Sequence, residues 1–297
     1  MAGQVKALVG AKWLAEAIRS NRVGPSLRIL DASWYLPTLN RNAAEEFRQK
    51  HIPGASFFDI DECSDSSSRF DHMLPGEEQF SQYVGNLGVG SDTHVVVYDC
   101  SDFGSFAAPR VWWMFRFFGH SSVSVLSGGL KHWLHEGQPV TDQYHKPEPV
   151  QFKAQINERS KWVKTYEDVL QNIKQPKYQL VDARVQGRFR GLEPEPRPET
   201  EPGHIPGSIN MPFPNFMDPT GQERPVEELK QMFGDAGVDL QKPLWVTCGS
   251  GVTACHIALA AHLCGHPGVC LYDGSWSEWF AKAAPELVIS EGKGKQQ

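Results

Sequence analysis

Apolar residues along this chain fall into two patterns that alternate. Short runs rich in β-formers, at 93–98 (THVVVY), 123–126 (VSVL), 244–247 (LWVT) and 269–272 (VCLY), are bounded by polar residues or glycine. Such runs suit strands buried on both faces. Between them, 108–118 (APRVWWMFRFF) and 252–263 (VTACHIALAAHL) are long enough for helices, and Gly119 and Gly265 stand where a helix C-terminal glycine belongs. Near the start, Trp13, Leu14, Ala17 and Ile18 recur at helical spacing, which predicts a first surface helix. This β-α-β alternation predicts an α/β fold with a mainly parallel, doubly wound sheet flanked by helices.

The pattern occurs twice. Leu30-Asp-Ala-Ser-Trp34 and His51-Ile-Pro-Gly-Ala-Ser56 return in order as Val181-Asp-Ala-Arg-Val185 and His204-Ile-Pro-Gly-Ser-Ile209. Val95–Asp99 corresponds to Leu244–Cys248, Gly119-His120 to Gly265-His266, and Ser127-Gly-Gly-Leu130 to Asp273-Gly-Ser-Trp276. Conserved order across a whole chain marks a tandem duplication. The expected organisation is a first domain over 1–137, a linker over 138–160, a second domain over 161–285 and a tail over 286–297. The proline- and glutamate-rich stretch 192–204 interrupts the second copy and reads as a long surface loop, a feature that is often functional.

Composition narrows the function. A length of 297 residues suits two domains, and a net charge of −6 argues against a nucleic-acid binder. No apolar run reaches the ~20 residues of a membrane helix. Cys63, Cys100, Cys248, Cys255, Cys264 and Cys270 are too sparse for a disulfide scaffold and none forms a CxxC pair, so reduced thiols in the cytoplasm or mitochondrial matrix are expected. Lys6, Lys12 and Arg19, with Glu16 as the first acid, leave a transit peptide open as an alternative to the surface helix.

Cys248 is the candidate nucleophile. It ends a strand and opens the loop Cys248-Gly-Ser-Gly-Val-Thr-Ala254 ahead of a helix, at the strand end where open α/β sheets bind ligands. The helix N-terminus presents unpaired amides, and Gly249 and Gly251 can adopt positive φ to curl Ser250, Val252 and Thr253 into an anion-binding nest. A thiolate or a terminal persulfide sulfur would be stabilised there. Most cysteines are small buried hydrophobes, and Cys255, Cys264 and Cys270 are read that way. The first copy supplies an internal control: Asp99 stands at the cysteine position, so that copy reads as catalytically silent. A cysteine phosphatase would need arginine six residues after the nucleophile, and Ala254 stands there.

These segments, together with 51–60 (HIPGASFFDI), 108–115 (APRVWWMF), 248–261 (CGSGVTACHIALAA) and 272–280 (YDGSWSEWF), resemble the two-domain rhodanese family of sulfurtransferases over essentially the whole chain. The resemblance implies tandem rhodanese-like domains, the first inactive and the second catalytic, and a persulfide on Cys248 as covalent intermediate. It implies no metal and no organic cofactor. One branch of the family takes sulfur from 3-mercaptopyruvate and another from thiosulfate. The thiosulfate branch carries Arg-Lys after the cysteine, where this chain has Gly249-Ser250, as the mercaptopyruvate branch does.

Further residues carry over from that branch. Ser250, His72 and Asp61 match a proposed Ser–His–Asp relay. Arg197 matches one of two arginines that hold the substrate carboxylate and carbonyl, and the thiosulfate branch differs there; Arg188 matches the other, which both branches share, and for each the plainer alternative is surface ion pairing with the nearby glutamates. Phe106 departs from the branch, which often has tyrosine there, and this keeps thiosulfate as an alternative donor. The acceptor implied is thioredoxin, another thiol or cyanide, with pyruvate and, on reduction, hydrogen sulfide as products. A monomer or weak dimer is expected, with no nucleic-acid or membrane partner. The competing class is a non-catalytic rhodanese-like module that binds partners or carries sulfur.

Overall fold

A computed structural model describes residues 5–156 and 158–296 and divides the chain into two compact units. Unit 1 is Met1–Ser66, Leu74–Asn157 and Met217–Glu223; unit 2 is Ser67–Met73, Glu158–Phe216 and Arg224–Gln297. Two short segments are therefore exchanged, one from each half of the sequence.

Unit 1 runs β1 (Leu8–Val9), α1 (Ala11–Arg19), β2 (Leu27–Asp31), α2 (Ala43–Gln49), β3 (Ala55–Phe57), α3 (Glu77–Asn86), β4 (His94–Tyr98), α4 (Ala108–Phe117), β5 (Val123–Leu126) and α5 (Gly129–His135). Its five strands are all parallel, in the order β1-β5-β4-β2-β3. Unit 2 repeats the plan with β6 (Val163–Lys164), α6 (Tyr166–Lys174), β7 (Gln179–Asp182), α7 (Gln186–Arg190), β8 (Ile209–Asn210), α8 (Val226–Asp235), β9 (Leu244–Thr247), α9 (Ala254–Leu263), β10 (Val269–Tyr272) and α10 (Ser275–Lys282). Its parallel order, β6-β10-β9-β7-β8, is the same arrangement shifted by one copy. The predicted doubly wound sheets are present, and the predicted strands at 123–126, 244–247 and 269–272 begin and end as read from the sequence.

Local chemistry sets several boundaries. Thr165 and Asp168 form a reciprocal capping box that starts α6. Gly119 at φ 85° and Gly265 at φ 89° follow the last turns of α4 and α9, a conformation in which a side chain would be strained. Ala254–Ala261 of α9 are all buried, which explains why that helix has apolar residues all round rather than a stripe. The helix packs on β9 and β10 on one side and on α8 on the other.

The repeated His-Ile-Pro-Gly is structural. His51 stacks on Phe47 with ring centroids 4.2 Å apart, and His204 stacks on Phe189 at 3.9 Å. Each histidine also pairs its backbone with a segment that trails its own domain: His51 with Thr141, and His204 with Ile289. Those pairings change the expected boundaries. The stretch 138–157, expected as linker, belongs to unit 1, where Val150 donates to Gly85, Gln155 donates to Phe118 and Phe152 is buried among Phe80, Phe115 and His120. The tail belongs to unit 2, where the Lys295 ammonium donates to the Phe280 and Ala283 carbonyls at 2.6 Å, beside the negative end of α10. No helix among the described residues is long and apolar enough to cross a membrane.

Candidate active site

Cys248 follows β9 directly and is 2% exposed. Its backbone is held by the first turn of α10: its N–H donates to Ser275 Oγ at 3.2 Å, and its carbonyl accepts from the Trp276 backbone N–H at 3.0 Å. The Gly249 carbonyl accepts from both the N–H and the hydroxyl of Ser277, at 3.1 and 2.8 Å. Ser275 has φ 49°, a left-handed conformation that a residue with a side chain keeps only when its surroundings enforce it. Here its buried hydroxyl also donates to the Tyr272 carbonyl.

Only one of the two loop glycines adopts the expected conformation. Gly251 has φ 78°, whereas Gly249 is outside the left-handed region. Space bears on Gly249 instead: a β-carbon there would lie 2.9 Å from Arg188 Nη2 and 3.7 Å from Arg197 Nη1. Val252 and Thr253 are buried and lead into α9, with Thr253 at the cap position.

In the Asp99 copy the helix-start amides have an acceptor. In unit 1 one carboxylate oxygen of Asp99 accepts the N–H groups of Phe106, Ala107 and Ala108 at 2.8, 2.9 and 2.8 Å. Ala108 begins α4 as Ala254 begins α9, so the amides of Val252, Thr253 and Ala254 hold the corresponding helix-start positions after Cys248. The nest in unit 1 is already filled by its own carboxylate. Burial pushes the Asp99 pKa up, against the four backbone N–H groups that hold it down.

Both candidate arginines reach the loop, each gripped by a carboxylate. Glu195 takes Arg188 through two bonds, Nε to Oε1 at 3.1 Å and Nη2 to Oε2 at 2.5 Å. It also accepts from Arg184 Nη1 at 2.8 Å, and Arg184 is paired in turn with Asp182 at 2.6 Å. The side chains of Asp182, Arg184 and Glu195 are no more than 2% exposed, so this is a buried ladder and not the surface pairing weighed above. The stretch 192–204 is correspondingly not a plain surface loop. Burial pushes Glu195 toward the neutral form, but Arg184 and Arg188 outweigh it and hold its pKa below the usual value. Arg197 donates from Nε to Asp71 Oδ2 at 2.6 Å, and that pair is more open, with Asp71 about half exposed.

Ser250 and His72 also meet. Ser250 Oγ lies 2.9 Å from His72 Nδ1, and both residues are buried. His72 has φ 61°, so the chain is bent sharply at that point. Asp71 and His72 sit in the exchanged segment 67–73 and so belong to unit 2 with Cys248, Arg188 and Arg197. Asp61 belongs to unit 1, where the Trp34 indole donates to it at 2.9 Å. Sequence reading missed Glu195, Asp71, Ser275 and Ser277. The segment Asp273–Trp276, matched in the first copy by Ser127–Leu130, was the available signal for Ser275.

Comparison with known proteins follows this geometry closely. The rhodanese-like domain model matches twice, at residues 10–136 and 165–282. The chain belongs to the rhodanese family. It is 57% identical over 290 residues to human 3-mercaptopyruvate sulfurtransferase, covering 98% of this chain and 97% of that one. It is 58% identical over 289 residues to rat thiosulfate sulfurtransferase, covering 97% and 96%. Overall identity therefore does not separate the two branches, and the loop must. Among solved rhodanese-family structures, the 3-mercaptopyruvate enzyme SseA from Escherichia coli is 39% identical with a TM-score of 0.81, covering 92% of this chain and 99% of its own. Tum1 from Saccharomyces cerevisiae is 33% identical with a TM-score of 0.85, covering 95% and 97%.

Proposed function

We propose that this rhodanese-family protein is a sulfurtransferase that takes the sulfur of 3-mercaptopyruvate onto Cys248 and passes it to a thiol or cyanide. The observation that carries the donor is the pair of guanidiniums beside Gly249. Arg188 and Arg197 both approach the residue next to the nucleophile, where an α-keto acid presents its carboxylate and keto oxygen. The Cys248 thiolate attacks the substrate sulfur and forms an S–S bond. The C–S bond breaks with its electron pair going to carbon, and pyruvate leaves as its enolate. Ser250 and His72 supply the proton that converts enolate to pyruvate. The helix-start amides hold the terminal persulfide sulfur until an acceptor thiol, thioredoxin in this reading, attacks it. A second thiol releases that sulfur as hydrogen sulfide and leaves a disulfide.

All six cysteines are free thiols, in keeping with a reducing compartment such as the cytoplasm or mitochondrial matrix. The thiosulfate alternative draws on Phe106 and on the equal similarity to both branches. Measuring kcat/KM with each donor decides between them: 3-mercaptopyruvate is expected to be the better donor, and a thiosulfate preference above tenfold would reject this donor. Intact-mass measurement after donor treatment is expected to add one sulfur to wild type and none to Cys248→Ser. Turnover by Cys248→Ser would reject the mechanism, and a wild type that gains no sulfur would leave only the binding module.

A further inference from the structure

Arg188 is held on one edge by Glu195 and limited on another side by the bare α-carbon of Gly249. The two bonds from Glu195 occupy Nε and one hydrogen of Nη2, the side-on edge of the guanidinium. The end-on edge, Nη1 with the other Nη2 hydrogen, is thereby turned away from Glu195 and available for a second bidentate contact. Nη2 lies where a β-carbon of residue 249 would crowd it, at 2.9 Å. A free arginine would swing aside from such a contact, but this one is tied to a carboxylate that is itself fixed.

Glu195 is fixed because it is the middle of the ladder. Arg184 bonds both Glu195 and Asp182, donates to the Gly203 carbonyl at 2.6 Å, and lies 4.6 Å from the centre of the Trp276 ring. Asp182 is the last residue of β7, so the chain of contacts starts on the sheet and ends on a substrate-facing cation. Trp276 closes the circuit, since its N–H donates to the Cys248 carbonyl.

We infer that Glu195 is a positioning residue that aims the end-on edge of Arg188 at the substrate carboxylate, and that glycine at 249 is the matching clearance. This rests on the 3-mercaptopyruvate reading above and adds the element that selects the donor. A neutral residue at 195 frees Arg188 to rotate, which weakens binding of a carboxylate donor far more than transfer once the donor is bound.

The test compares 3-mercaptopyruvate with methanethiosulfonate, which offers a transferable sulfur but no carboxylate. In Glu195→Gln the KM for 3-mercaptopyruvate is expected to rise at least tenfold while kcat falls no more than threefold. The ratio of kcat/KM for the two donors then falls at least tenfold. Because Glu195→Gln leaves buried arginine charge under-paired and could unfold the site, Gly249→Ala serves as the second variant. It displaces Arg188 from the opposite side without removing a charge, and the same donor-selective rise in KM is expected. Equal losses with both donors, or a KM for 3-mercaptopyruvate within twofold of wild type in a folded variant, would overturn the inference. Wild-type protein that takes sulfur from methanethiosulfonate but none from 3-mercaptopyruvate would instead mark failure of the underlying donor reading, and this inference with it.

Discussion

Ser250 Oγ and His72 Nδ1 lie 2.9 Å apart although 178 residues separate them in sequence. Such a pair acts as one unit, so its members should not contribute independently. Ser250→Ala and His72→Gln are each expected to lower kcat for 3-mercaptopyruvate by about 10- to 100-fold, the usual scale of a general acid–base group. The double variant should be no worse than the poorer single one, and a multiplicative loss in steady-state kinetics would argue against a shared proton path.

The second arginine should be less sensitive to its partner than Arg188. In the Asp71–Arg197 pair the carboxylate is about half open to solvent, and pairs with such an exposed partner contribute ~0–1 kcal/mol. Asp71→Asn should therefore raise KM for 3-mercaptopyruvate by only about two- to fivefold. Arg197→Gln, which removes the cation itself, should raise it by about tenfold or more, as loss of a charge-assisted contact does. Initial-rate measurements over a range of donor concentration separate the two.

Equivalent aspartates in the two units have opposite electrostatic fates. Asp182 faces Arg184, whereas Asp31 has Ser33 at that position. Burial pushes the Asp31 pKa up to about 6 from 3.8, with the Asp99 charge adding to it against hydrogen bonds from Ser33 and Tyr98. The folded state thus keeps a proton that the unfolded chain releases, so this contribution is full below pH ~4 and lost as pH rises through about 6. The loss by neutral pH is about 3 kcal/mol. Asp31→Asn should raise the first urea midpoint at pH 7.5 and gain little at pH 4.5. Asp182→Asn should instead destabilise by roughly 3 kcal/mol, because it leaves part of a buried arginine uncompensated.

Asp99 provides a stability test of the nest. Asp99→Ala strips three helix-start N–H groups of their acceptor, and unsatisfied buried groups cost ~1–3 kcal/mol each. Asp99→Asn retains an acceptor oxygen and should cost markedly less. Urea unfolding followed by tryptophan fluorescence, with early and late transitions resolved, is the measurement.

Much of this was legible in the sequence for physical reasons. Strands such as 244–247 are buried on both faces and so appear as uninterrupted apolar runs. Cys248 was legible because the duplication placed Asp99 beside it for comparison. Glu195 was not: it lies in a run of glutamates and prolines with no periodicity, and nothing local distinguishes the side chain that turns inward. The positive φ expected of Gly249 is absent, and what marks the position is the closeness of the Arg188 guanidinium. The relocation of residues 67–73 had no sequence signal, because a short polar stretch carries no mark of the core it joins.

That relocation bears on how the duplication has lasted. A copy with aspartate at the cysteine position could be expected to drift or disappear if its twin alone carried the chemistry. Here the chain of the Asp99 copy hands over seven residues, Asp71 and His72 among them, and receives Met217–Glu223 in return. Neither half can be excised by a single cut without taking working parts from the other. The half of the sequence without the cysteine therefore contributes Asp71 and His72 to the unit that holds Cys248, and a substitution in either half can bear on that unit.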